Sequence, residues 1–377
     1  MTAFGCTEPL TVGVEEEFQI VDPDTGDLVS RIDEVLERAD EKYADNLQSE
    51  LFQSVVETAT DTCRDIVEVR REIKDLRTSL LDVMEDKGYT LAAAGAHPFA
   101  HWKKQDITDK DRYHELVDDL QWTAKRELIF GQHVHVALPT AEAAIYVANW
   151  LQPFLPALLA LSVNSPFWRG HRTGLKSTRI RIFDALPRTG LHRTFENFQD
   201  FRRTVETFKA GGSIEDVSKI WWDVRPRPDL GTVEVRIADI PTEPDRSIAL
   251  AAVSQALVAW LSRACAADED PPLQHTLEVV QENRWRALRD GMDARFIRQS
   301  GTSDEEYEGT DAPNFVLWML DELQSLPSEL GIEREMEHIA ELARGGETDA
   351  DRQCRVYEEN NGEFLPVIRD IVERTRP

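Results

Sequence analysis

The chain has 377 residues and a formal net charge of −27, from 70 acidic and 43 basic side chains. That balance argues against a nucleic-acid partner, because phosphate binding needs a basic face. A hydrophobic content of 41%, with nine Trp and fifteen Phe, allows a sizeable core.

Residues 12–20 read as a strand, since Val12, Val14, Phe18 and Ile20 favour extended backbone. Alternation then puts Glu15 and Glu17 on one face and Val14, Glu16, Phe18 and Ile20 on the other. Two carboxylates side by side repel unless a cation sits between them, and a hard divalent ion such as Mg²⁺ suits their oxygens. The competing reading is a solvent-facing acidic strand. A turn at residues 22–26 has hairpin chemistry. Residues 46–60 carry Glu50 and Glu57 among Leu51, Phe52, Val55 and Val56. A spacing of seven puts both on one face of a helix but on opposite faces of a straight strand. β-branched neighbours favour the strand, so both reach one site only across a bend or bulge. Asp61 or Thr62 then caps a long helix with the stripe Ile66, Val69, Ile73, Leu76, Leu80 and Val83, ended by Gly88. Residues 89–95 are a buried strand, and 111–126 look helical.

Residues 128–138 form the next strand, with His133 and His135 sharing a face with Gly131 and with Val134 and Val136 turned away. Helices over 141–150 and 153–163 follow, broken at Gln152-Pro153. After a loop at 164–170 come Arg179, Arg181, Asp184 and Arg188. The three arginines are either a clamp for carboxylate or phosphate or a salt-bridged loop. A helix spans 194–210. A turn at 228–231 leads to a strand at 232–237, with Glu234 and Arg236 on one face and Val233, Val235 and Ile237 on the other. An exposed ion pair is the bland reading of Glu234 and Arg236. From residue 247 onward the chain is mostly helical, with acidic loops near 267–270, 303–310 and 345–351.

The simplest architecture is α+β, one domain over residues 1–377 with helices packed on an antiparallel sheet. If the three charged strands share that sheet, one of its faces is polar and metal-capable. Neither GxxxxGK[ST] nor a strand-borne GxGxxG is present, so phosphate recognition rests on metal and arginines. No GxSxG elbow suggests a nucleophile. Cys6, Cys63, Cys265 and Cys354 form no CxxC pair, so reduced thiols are expected rather than disulfides or zinc. No signal-peptide pattern begins the chain, and the longest apolar run, residues 157–163, is too short to span a bilayer. A soluble cytoplasmic protein without a membrane partner is expected. Ten Lys against 33 Arg, within an evenly spread acidic excess, fits a halophilic protein that stays dissolved in high salt.

Several motifs together resemble the carboxylate–amine ligase family of glutamate–cysteine ligases, type 2. They are Gly13-Val14-Glu15-Glu16-Glu17-Phe18, Gly131-Gln132-His133-Val134-His135-Val136, Asp184 to Gly190, Trp222-Asp223-Val224-Arg225-Pro226 and Gly231-Thr232-Val233-Glu234-Val235-Arg236. Glu282-Asn283-Arg284-Trp285-Arg286-Ala287 and Ala350-Asp351-Arg352-Gln353 resemble the family's C-terminal signatures. The order is the family's order across nearly the whole chain, and the Lys-poor composition looks like a haloarchaeal member. The resemblance implies a glutamine-synthetase-like fold, an antiparallel sheet curled into a funnel with helices outside. It implies ATP-dependent ligation of the γ-carboxylate of L-glutamate to the amine of L-cysteine through a γ-glutamyl phosphate, in thiol biosynthesis. ATP and Mg²⁺, with Mn²⁺ as an alternative, are the implied cofactors. By motif, the metal ligands are Glu15, Glu17, Glu50, Glu57, His133 and Glu234, with His135 a further candidate. Arg236 faces the transferred phosphoryl group beside Glu234. Arg179, Arg181 and Arg188 stay as substrate or phosphate candidates. Another acceptor amine, a metal-dependent hydrolase and an acidic binding protein remain as alternative readings, and a homo-oligomer is left open.

Overall fold

Strand β1 (Val12–Val21) alternates between buried and half-buried positions along its first half, as its sequence pattern requires. In this computed structural model, which describes residues 2–270, 273, 276–299 and 307–377, β1 is central to a seven-stranded sheet. The others are β2 (Leu47–Ser49), β3 (Val55–Ala59), β4 (Thr90–Ala92), β5 (Gly131–Ala137), β6 (Val224–Arg227) and β7 (Thr232–Asp239). The order is β6-β7-β5-β1-β3-β2, every pairing is antiparallel, and β4 pairs with the far end of β1. The architecture is therefore the expected α+β one.

One sheet face is apolar. Val14, Val134, Val136, Val233, Val235 and Ile237 are buried in a cluster with side chains of the helices Ile66–Asp86, Ala141–Leu151, Leu155–Ser162 and Pro244–Ala266. Each such side chain contributes about 1.5–3 kcal/mol of burial, which fixes which face of each strand points inward. Contrary to the reading from the longest apolar run, Ala141–Ser162 and Pro244–Ala266 are long and apolar enough to cross a bilayer. Both are mostly buried within the fold, where they serve as the helical layer behind the sheet.

Several boundaries differ from expectation. The helix Ile66–Asp86 is capped by Asp65, whose carboxylate accepts from the Glu68 amide, and not by Asp61 or Thr62. The backbone stays extended longer because Cys63 exchanges two hydrogen bonds with Val12, both 2.8 Å. The helix at 111–126 stops at Leu120, where Gln121 takes a positive φ of 49°, and a short 3-10 turn, Ala124–Arg126, follows. The helix expected from 194 begins at Phe198 under an Asn197 cap. In the C-terminal region a hairpin of Arg295–Gln299 with Tyr307–Asp311 stands among the helices. Residues 303–306 of the acidic loop expected there lie outside the described residues. All four cysteines are free, as expected.

Candidate active site

The charged faces of β1, β3, β5 and β7 meet because the register aligns them. Glu15 lies opposite His133, Glu17 opposite Glu57, and Glu234 opposite His135 on one flank and Arg225 on the other. Glu50 joins them from the turn between β2 and β3, which pair as a hairpin. That hairpin is the bend their spacing of seven demanded. The result is a cavity of about 420 Å³, lined by Glu15, Glu17, Glu50, Glu57, His133, Glu234, Arg236 and Arg179 among others.

Glu15 is the shared member of two donor clusters. Its Oε2 is 3.0 Å from His133 Nδ1, and its Oε1 is 3.4 Å from His135 Nε2. Donor atoms of Glu15, Glu57 and His133 lie within 4.8 Å of one another, as do those of Glu15, His135 and Glu234. Nε2 of both histidines is buried with no hydrogen-bond partner among the described residues. Thr232 Oγ1, 3.1 Å from His135 Nδ1, can accept a hydrogen bond from Nδ1–H and leave the Nε2 lone pair free. Orphaned imidazole nitrogens beside convergent carboxylates fit a divalent cation, and the preponderance of carboxylate oxygens suits Mg²⁺ or Mn²⁺.

The electrostatics divide the acids into two groups. Burial, followed by repulsion from Glu50, Glu15 and Glu17, holds Glu57 well above the ordinary carboxylate range. Burial also raises Glu50 and Glu17. Burial acts on Glu15 in the same direction, yet His135 and His133 hold it well below that range. Arg236 and Arg225 do the same for buried Glu234. Arg225 donates to Glu234 Oε2 at 2.7 Å, and Arg236 pairs with Oε1. The Glu234–Arg236 pair is thus enclosed, not the surface ion pair of the bland reading. A shift in the β7–β5 register between Val235 and Ala238 accompanies the turn of Arg236 toward the cavity.

The three-arginine clamp does not assemble. Residues 178–183 are helical, so Arg179 and Arg181 point roughly 200° apart. Arg181 is half-exposed and pairs with Asp184 at 3.2 Å. Arg188 donates to the Lys219 carbonyl at 3.0 Å and stacks on Trp221. Neither Arg181 nor Arg188 lines the cavity. Arg179 does, with its guanidinium against the space that a Cβ on Gly131 would need and its Nε without a hydrogen-bond partner among the described residues. Phe130, bulky beside that glycine, is buried in the apolar cluster that also holds Phe18 and Leu91.

Sequence reasoning passed over Arg112, Tyr113, Glu127, Lys219, Arg225 and Arg227, which also line the cavity. For Arg225 and Arg227 the signal was present, since their alternation on β6 matches that of Glu234 and Arg236. Arg112, Tyr113 and Glu127 show no such pattern. The C-terminal signature is scaffold: Arg284 bridges Asp184 (2.7 and 3.0 Å) and Asp223, so three distant motifs meet in one ion-pair network.

The family described as Glutamate-cysteine ligase family 2 (GCS2) matches residues 11–372. A protein provisionally named glutamate–cysteine ligase 2-1 in Rubrobacter xylanophilus is 39% identical over 368 residues, 97% of this chain and 95% of that one. A provisional glutamate–cysteine ligase 2 of Sorangium cellulosum is 42% identical over 367 residues, covering 97% and 96%. Among solved structures, the Francisella tularensis glutamate–cysteine ligase in complex with AMP superposes with a TM-score of 0.69 at 13% identity, covering 98% of this chain and 90% of that one. A bifunctional glutathione synthetase from Pasteurella multocida gives 0.71 at 14% identity, covering 98% and 52%. At these identities the superpositions show a shared fold.

Proposed function

We propose that this chain, which belongs to glutamate–cysteine ligase family 2, joins the γ-carboxylate of L-glutamate to the amine of L-cysteine, using ATP. Membership of the family supports carboxylate–amine ligase chemistry of the glutamate–cysteine ligase type. The two amino acids and a γ-glutamyl phosphate intermediate are our reading. The observation that carries it is the meeting, in one cavity, of a carboxylate–histidine face with the arginines Arg112, Arg179, Arg225, Arg227 and Arg236. That combination suits a triphosphate together with the cations that accompany it.

In this reading Glu15, Glu17, Glu50, Glu57, His133, His135 and Glu234 hold divalent cations, which when bound neutralise phosphate charge. Arg236 donates to the phosphoryl group as it passes from ATP to the glutamate γ-carboxylate. Arg225 fixes Glu234 from behind, so that carboxylate keeps its orientation and charge. Arg179 offers its unpartnered Nε to a substrate carboxylate. The γ-carboxylate oxygen attacks the terminal phosphorus and ADP leaves. The amine nitrogen then attacks the acyl carbon and phosphate leaves with the bonding electron pair. We place the product in cytoplasmic thiol biosynthesis and treat residues 1–377 as one catalytic domain.

ADP release in molar KCl, with Mg²⁺, glutamate and a panel of amines, tests the reading. ADP should require both glutamate and an amine, with cysteine fastest. A faster amine other than cysteine would revise the acceptor alone. Amide hydrolysis without ADP release would point to a hydrolase instead.

A further inference from the structure

Glu127 stands in the same cavity but outside both donor clusters of Glu15 and the histidines. It follows the 3-10 turn Ala124–Arg126, and its neighbours on the cavity wall include Ile129, Phe183 and Leu186, which form one apolar cluster. Both of its carboxylate oxygens are shielded from solvent, and neither has a hydrogen-bond partner among the described residues. Such a group is costly, and native proteins rarely leave one without a use. The charged groups acting on it are Arg179, Arg126, Asp184 and Glu17. Arg126 lies over the Trp122 ring at 4.2 Å, and Arg179 is packed against Gly131. No donor among the described residues satisfies Glu127, so the cavity presents a bare acceptor to whatever enters.

Within the ligase reading, on which this rests, both amino acids carry an ammonium group, but only that of the acceptor must give up a proton before it can react. We propose that Glu127 is the acceptor-amine residue, receiving the ammonium group and taking the proton that the nitrogen must lose before it attacks the acyl phosphate. The balance is simple. The ammonium gives one proton to the Glu127 carboxylate, which becomes a carboxylic acid. The freed lone pair forms the carbon–nitrogen bond, the carbon–oxygen bond to phosphate breaks, and that electron pair leaves with the phosphate. The second nitrogen proton departs with the phosphate. Burial, opposed by Arg179 and Arg126, holds Glu127 well above the ordinary carboxylate range, the direction that proton transfer from an ammonium needs. The wall of Ile129, Phe183 and Leu186 suits an acceptor whose side chain is short and weakly polar. The inferred ligand class is a small primary amine, cysteine among them, and not a diamine or a basic amino acid.

Hydroxylamine separates the roles, because at neutral pH it is mainly uncharged and traps acyl phosphates without first shedding a proton. The assay compares wild type, Glu127→Gln and Glu127→Asp with cysteine, or the best amine of the panel, and with hydroxylamine. For Glu127→Gln, kcat/KM for the amine should fall by about a hundredfold or more, while hydroxamate formation from glutamate and ATP stays within about threefold. Glu127→Asp should fall between. Hydroxamate formation also reports that each variant is folded. Equal loss with both acceptors, or no loss with either, overturns the assignment. A wild-type protein that forms no hydroxamate overturns the ligase reading itself, and the assignment with it.

Discussion

Glu16 and Glu17 are adjacent in the chain and held in opposite ways. Glu17 faces the cavity, while Glu16 is 1% exposed on the apolar side, paired with Arg77, which is 0% exposed. Ser247 Oγ donates to Glu16 at 2.6 Å, and Arg77 donates to the Thr242 carbonyl at 2.7 Å. From the strand pattern, Glu16→Gln looks like a mild control for the register. The structure predicts otherwise: the neutral amide leaves a buried guanidinium uncompensated, a loss of about 3–5 kcal/mol in chemical denaturation. A variant as stable as wild type would contradict that pairing. Glu15→Gln and Glu17→Gln should instead keep the fold and lose cation-dependent activity. At Arg236, removal should act on the chemical step, since charge grows there in the transition state. Arg236→Ala should lower kcat about a hundredfold or more, and Arg236→Lys should recover little without the planar fork. The KM for ATP should move much less, and a kcat within about threefold of wild type would take the arginine out of the mechanism.

At the scale of elements, β1, β3 and the β2–β3 turn press carboxylates together, and this sets a pH dependence. Burial and mutual repulsion raise Glu57, and burial raises Glu50 and Glu17, so the folded state keeps protons that the unfolded chain has lost. Stability of the metal-free protein therefore falls as pH rises from about 4.3 through those raised values. Glu15 and Glu234, held low, contribute stability that is lost only as pH drops through their folded values. Mg²⁺ favours the ionised cluster, so it should raise Tm more at about pH 8 than at about pH 5.5. An equal or absent shift at the two pH values would argue against the cluster as a cation site. The strands β1, β5 and β7 were legible because alternation alone decides which face each side chain takes. Glu50 and Glu57 were legible only on condition of a bend, which the β2–β3 pairing supplies, and through the family resemblance. The arginines at 179 and 181 misled because residues 178–183 are helical, where i and i+2 diverge. Glu127 left no trace because it follows an irregular turn, where no period exists to read.

For the whole molecule, the charge of −27 and the scarcity of Lys govern its behaviour in salt. Self-repulsion of that size is screened over about 3 Å in molar salt but over about 30 Å at 0.01 M. The protein should therefore lose helical signal as KCl is diluted below about the molar range, and recover it on return. Full stability in dilute buffer would remove the halophilic reading while leaving the chemistry untouched. The chemistry has its own direct test, the fate of one oxygen atom. Glutamate labelled with ¹⁸O in its γ-carboxylate is turned over with ATP, Mg²⁺ and the best acceptor amine in molar KCl. If the carboxylate attacks the terminal phosphorus, each product phosphate carries one labelled oxygen, in step with amide formed. Unlabelled phosphate accompanying amide formation would contradict the acyl phosphate, and with it the central claim.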